Sequence, residues 1–132
     1  MPALVLLLLC SLAVADDVPA WVLRGMLSVE SSSSYRPDGS ILYVNRKRGA
    51  AGERGPFQVL PSTFRLYAKP GETLDRLETD PAFAEAFTRR ILTSLYAQHR
   101  SWVLVLSVYH RGRVCLSGKT YAHRVAFRGH NS

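Results

Sequence analysis

The 132-residue chain has only two cysteines, Cys10 and Cys115. Cys10 falls inside an apolar stretch at the start of the chain, so the rest holds a single thiol and no internal disulfide can brace it. Stability must come from packing, and a chain of this length can bury one core without covalent or metal staples. Cys115 has no His-plus-carboxylate arrangement at a recognisable spacing, which argues for a bystander thiol rather than a nucleophile. His99, His123 and His130 show no metal-ligand spacing, so neither a metal nor another cofactor is expected. Acids are also scarce: ten Asp and Glu stand against 17 Lys and Arg, a formal net charge of +7. That balance favours polyanionic partners, either nucleic acid or an anionic cell envelope. The cations (Arg46 to Arg48, Arg89-Arg90, Arg111 to Arg113, Arg124, Arg128) read as scattered. They are not interleaved with stacking aromatics in any nucleic-acid motif, so a nucleic-acid partner is not expected.

Long apolar runs are missing too. Ala3 to Val14 is apolar and uncharged, yet shorter than the roughly 18 to 20 residues that a membrane-spanning helix needs. With Ala13-Val14-Ala15 behind it as a small-x-small cleavage signal, residues 1–15 read as a signal peptide, although no Lys or Arg precedes the apolar core. The bulky Leu9 before Cys10 makes a poor lipid-attachment site. The expectation is one exported domain over residues 16–132, periplasmic or extracellular, associated with the cell wall and monomeric.

Asp16-Asp17 followed by Pro19 suggests a helix start, with a helix from Val18 to Ser31 stopped by the serine run and Arg36-Pro37. Residues 35–56 are rich in turn formers, with Ile41 to Val44 as a candidate strand. Pro61 opens a short helix to Ala68 before Pro70-Gly71. Asp80-Pro81 opens a long one to about Gln98, with Phe83, Phe87, Ile91, Leu92 and Leu95 on one face. Trp102 to Tyr109 is apolar almost throughout, and periodicity leaves strand and helix both open. A short last helix over Thr120 to Phe127 completes a mainly α chain.

One acid stands out. Leu23, Met26, Leu27 and Glu30 lie at i, i+3, i+4 and i+7, so the apolar face of the first helix ends in a carboxylate. Partial desolvation there raises a carboxyl pKa, and an acid still protonated near neutral pH is what general-acid catalysis requires. Spacing alone favours an ordinary charge at a helix end and does not settle the matter.

Four elements in order then resemble the lytic transglycosylase family: Glu30-Ser31, Gly49-Ala50-Ala51-Gly52, Gly55-Pro56-Phe57-Gln58 with Pro61-Ser62-Thr63, and Val108-Tyr109-His110-Arg111-Gly112. Tyr121 and Arg124-Val125 are similar to the family's closing segment. The resemblance covers nearly all of residues 16–132 and implies a lysozyme-like α+β domain, mainly α, with a small loop or hairpin region after the first helix. It also implies that Trp102 to Tyr109 is helical. By this resemblance, Glu30 is the acid that protonates the oxygen between N-acetylmuramic acid and N-acetylglucosamine and then takes the proton of the muramic C6 hydroxyl, closing a 1,6-anhydro ring. Ser31, Gln58, Tyr109, Phe57 and His110 are the implied substrate-binding residues. Tyr109 resembles the tyrosine that holds the catalytic carboxyl, Phe57 forms part of an apolar cleft wall, and Gly55 lets the backbone approach the glycan. The chain departs from the family pattern at Pro56, Phe57 and His110, where Leu, Met and Asn are usual. The imidazole of His110 lacks the amide's fixed donor and acceptor, and an imidazole can change charge within the working pH range.

Glu53, with Asp38 second, is the candidate for the water-activating carboxylate of a hydrolytic lysozyme. Other readings are a non-catalytic peptidoglycan-binding assembly module and a basic nucleic-acid-binding protein. The expected partners are peptidoglycan glycan strands and the anionic envelope, with a secretion or envelope-spanning apparatus as a further candidate.

Overall fold

A computed structural model describes residues 18–111 and 116–131. The expected signal peptide, the Asp16-Asp17 cap, Gly112 and Cys115 lie outside the described residues. Pro19 is the N-cap of α1 (Ala20–Ser31), and its carbonyl accepts from Val22 N–H at 3.0 Å. The apolar stripe of α1 turns Val22, Leu23, Met26 and Leu27 fully inward. The helix stops because Ser32 turns left-handed (φ 53°), which lets Ser32 and Ser33 N–H groups bond back to Ser28 and Leu27 carbonyls. Directly beyond, β1 (Ser34–Tyr35) pairs antiparallel with β2 (Ile41–Leu42) in the register Ser34 to Leu42 and Tyr35 to Ile41. The strand expected to run to Val44 therefore ends at Leu42.

Two short helices follow, α2 (Pro61–Tyr67) and α3 (Arg76–Thr79), then the long α4 (Pro81–His99). Asp80 caps α4 by accepting from Phe83 N–H at 3.1 Å, and Pro81 sits in the first turn, where no donor is missed. Phe83, Phe87, Ile91, Leu92 and Leu95 are buried along one side of α4, with Phe64 of α2 stacked on Phe87. Helix α5 (Trp102–Arg111) is joined to α4 by a stacked Tyr96–Trp102 pair.

The last helix, α6 (Leu116–His130), is longer at both ends than the expected Thr120 to Phe127. Glycine weakens an isolated helix, but here glycines are contact points. Any Cβ on Gly25 would collide with the Val125 carbonyl, and one on Gly129 with the Trp21 carbonyl. Bare backbones thus let α1 and α6 approach closely, and this packing carries the helix past its local propensity. Among the described residues the chain is six helices and one two-stranded sheet, with a core built from α1, α4, α5 and α6. No helix among them is long and apolar enough to cross a membrane.

Candidate active site

The turn-rich segment after the hairpin and the C-terminal ends of α1 and α5 border a cavity of about 260 Å³, lined by Glu30, Gly49, Glu53, Gln58, Tyr109 and His110 among others. It shares Gln58, Leu60 and Tyr109 with an adjoining apolar chamber of about 180 Å³ faced by Val59, Thr63, Ile91 and Val108. Together they make a cleft that is polar at one end and apolar at the other.

Glu30 enters this cavity from the last turn of α1. Burial pushes its carboxyl up to about 8, the Glu53 carboxylate adds to the rise, and Arg124 opposes both. Glu53 shares the cavity and accepts from Ala51 N–H at 3.1 Å. The bare face of Gly49 makes room for it. A Cβ there would overlap the Glu53 carboxylate and come within 3.0 Å of Gln58 Oε1. Asp38 does not reach the cavity. It sits exposed on the β1–β2 turn, accepting from the N–H and hydroxyl of Ser40.

The wall opposite is a tight turn, Gly55-Pro56-Phe57-Gln58, closed by the Gln58 N–H to Gly55 carbonyl bond at 3.0 Å and flanked by paired bonds between Arg54 and Val59. Proline suits the second position of such a turn. Two residues take positive φ, Gly55 at 83° and Gln58 at 53°. Each carbonyl of the segment from Gly55 to Phe57 has a donor. Gln58 Nε2 donates to Gly55 at 3.0 Å, the Ser31 hydroxyl to Pro56 at 2.8 Å and the Tyr109 hydroxyl to Phe57 at 2.6 Å.

These bonds correct several residue roles. Phe57, expected on the cleft wall, is 0 % exposed, so its ring belongs to the core and only its carbonyl serves the site. Ser31, expected beside the sugar, is 1 % exposed and is a brace between α1 and the turn, shared with the Ser33 hydroxyl at 2.7 Å. Gly55, expected to meet the glycan, instead faces α3, where a Cβ would strike the Leu77 carbonyl. Tyr109 spends its single hydroxyl proton on Phe57 rather than on Glu30, although Glu30 is near enough, with burial, to raise its pKa. Gln58 uses Nε2 on the carbonyls of Gly55 and Lys47, which leaves Oε1 as its remaining polar atom toward the cavity.

His110 lies at the exposed rim, its ring stacked on Tyr121 with centroids 4.3 Å apart and planes 13° from parallel. Partial burial, then the nearby Arg111 and Arg124, lower its pKa from the ordinary histidine value. Tyr121 itself is 2 % exposed, and its hydroxyl has no hydrogen-bond partner among the described residues. Burial and Glu30 both raise its pKa. Tyr121 and Arg124 are therefore the neighbours of Glu30 to which sequence reasoning gave no role. Their only signal was their place in the closing segment of the resemblance. Among the described residues, no three His, Cys, Asp or Glu side chains cluster as a metal site.

The chain matches no protein-family model, no curated protein and no solved structure.

Proposed function

We propose that the protein is an exported peptidoglycan lytic transglycosylase of lysozyme-like fold, with Glu30 as its acid and base. The observation that carries this reading is a carboxyl at the end of an apolar helix face, opening on a cleft and pushed up to about 8. At pH 7 such a group is protonated by roughly ten to one. It can therefore give its proton to the glycosidic oxygen of a bound strand, as general acid catalysis demands. The resulting carboxylate is disfavoured by burial and by Glu53, so it is driven to recover a proton. The muramic C6 hydroxyl supplies one, and its oxygen closes the anhydro ring. The mainly helical chain with a hairpin directly after α1 accommodates a lysozyme-like domain. The ordered motifs from Glu30-Ser31 to Tyr109-His110 supply the substrate class.

A second reading is supported by Glu53, which lines the same cavity as Glu30. In a hydrolytic lysozyme it would activate water on the far side of the scissile bond. Mass spectrometry of peptidoglycan digested by wild type, Glu30→Gln and Glu53→Gln separates the two. Anhydro ends made by wild type and Glu53→Gln, but not by Glu30→Gln, support the transglycosylase. Reducing ends lost in both variants support the hydrolase. Binding to peptidoglycan with no cleavage by wild type refutes both readings and leaves a non-catalytic module. Activity should fall as pH passes about 8, where Glu30 loses its proton.

A further inference from the structure

The net positive charge of the chain is concentrated after Glu85. Residues 86–132 hold eight Lys and Arg, all four His and no Asp or Glu, whereas residues 1–85 hold nine basic and ten acidic side chains. Arg48, Arg54, Arg76, Arg89 and Arg90 each have a carboxylate within 4.0 Å. Most other described cations, those of α6 included, have none, and what sets α6 apart is the face it presents. Tyr121, Ala122, Val125 and Gly129 face inward, while Lys119, His123, Arg124, Phe127 and Arg128 are exposed. Among the described residues no carboxylate lies within 4.0 Å of Lys119, Arg124 or Arg128.

Lys119, His123 and Phe127 stand at i, i+4 and i+8, with Arg124 and Arg128 one residue further on. They form a single stripe about 14 Å long. Phe127 is 67 % exposed near the C-terminal end of the stripe, with Arg124 and Arg128 as neighbours along the helix. A solvated basic surface accounts for the charges, but leaves a bare phenyl ring that gains nothing from water or from a phosphate backbone alone. A basic stripe with an aromatic ring suits an interface where phosphates lie above hydrocarbon.

We propose that the outer face of α6 docks on anionic phospholipid bilayers, with Phe127 entering the headgroup–acyl boundary and Lys119, Arg124 and Arg128 on the lipid phosphates. The inference is independent of what the cleft cleaves. Each cation near an anionic surface contributes about fivefold in affinity, so three cations and one ring give reversible association.

The test is vesicle flotation of the full chain, using phosphatidylcholine alone and phosphatidylcholine with roughly one-third phosphatidylglycerol. Binding is expected to the anionic vesicles only, and to fall as salt rises from about 0.1 M to about 1 M. Lys119→Gln with Arg128→Gln should weaken it about 25-fold. Phe127→Ala should weaken it by a further ~5-fold with little change in salt dependence. Arg124 is kept because its charge reaches Glu30. All three side chains are exposed, so the melting temperature should hold and report that the variants fold. Equal binding to both vesicle types overturns the proposal, as does binding untouched by the triple variant. A soluble polyphosphate or duplex DNA bound as tightly as the anionic vesicles, with no effect of Phe127→Ala, also overturns it, leaving a surface for polyanions in general.

Discussion

Glu30→Gln should make the folded protein more stable, by an amount that grows with pH. Glu30 rises from 4.5 to about 8 on folding, chiefly through desolvation. Between those values the folded state binds a proton that the unfolded state does not, so wild-type stability falls as pH rises, by about 1.4 kcal/mol per unit. The sign is opposite to that of a salt-bridged acid. Below about pH 4.5 both states are protonated and there is no penalty. At pH 7 the penalty is about 3 kcal/mol, and above pH 8.5 it levels off near ~5 kcal/mol, an upper figure because side chains relax. Glutamine is neutral at every pH and has nearly the same shape, so it avoids the whole term. Titrating groups that do not interact with Glu30 are common to both proteins and cancel in the comparison. Urea unfolding of wild type and Glu30→Gln at pH 5, 7 and 8.5 measures it directly. The gap should widen by a few kcal/mol across the series, on the order of 10 °C in melting temperature. A gap that stays constant with pH would refute the claim that Glu30 is held protonated by burial.

Tyr109→Phe strands the Phe57 carbonyl, which now accepts at 2.6 Å. It should cost about 1 to 2 kcal/mol in thermal or urea unfolding, and lower the cleavage rate because the cleft wall loosens. Gly49→Ala should behave differently. Its Cβ overlaps only the flexible ends of Glu53 and Gln58, so melting should shift by less than about 1 kcal/mol while glycan cleavage drops at least ~10-fold. Gly25→Ala places its Cβ against the Val125 backbone, which cannot swing aside. A loss of about 3 kcal/mol is expected from overpacking of α1 on α6, seen as a lower urea midpoint at unchanged slope.

Helices with strong local grammar were legible in the sequence. For α4 the Asp80-Pro81 start and the recurring apolar positions set its span to within a residue or so. The four-residue α3 was not legible, because so short a turn has no period to detect. The true length of α6 depends on contacts with Trp21 and Ser107, which no local propensity encodes. Similar limits apply in the cleft. Glu30, Glu53, Gln58, Tyr109 and His110 do border one cavity, because each lies where helix end, turn or rim makes its motif meaningful. Phe57 and Ser31 border it in sequence and not in space. Within the turn, Gln58 opens to the cavity while its neighbour Phe57 is wholly buried. A motif names which residues are adjacent along the chain. It does not name which atoms face the solvent, and in a tight turn successive side chains diverge.

The braced turn also has a consequence for timing. Its two hydroxyl latches reach across 25 and 52 residues, from Ser31 and from Tyr109. Glu30 gains its perturbed acidity only when α5 and α6 have closed over it, because water must be excluded first. An unfolded chain therefore carries an ordinary carboxylate at Glu30. On the transglycosylase reading proposed above, folding is the step that arms the acid.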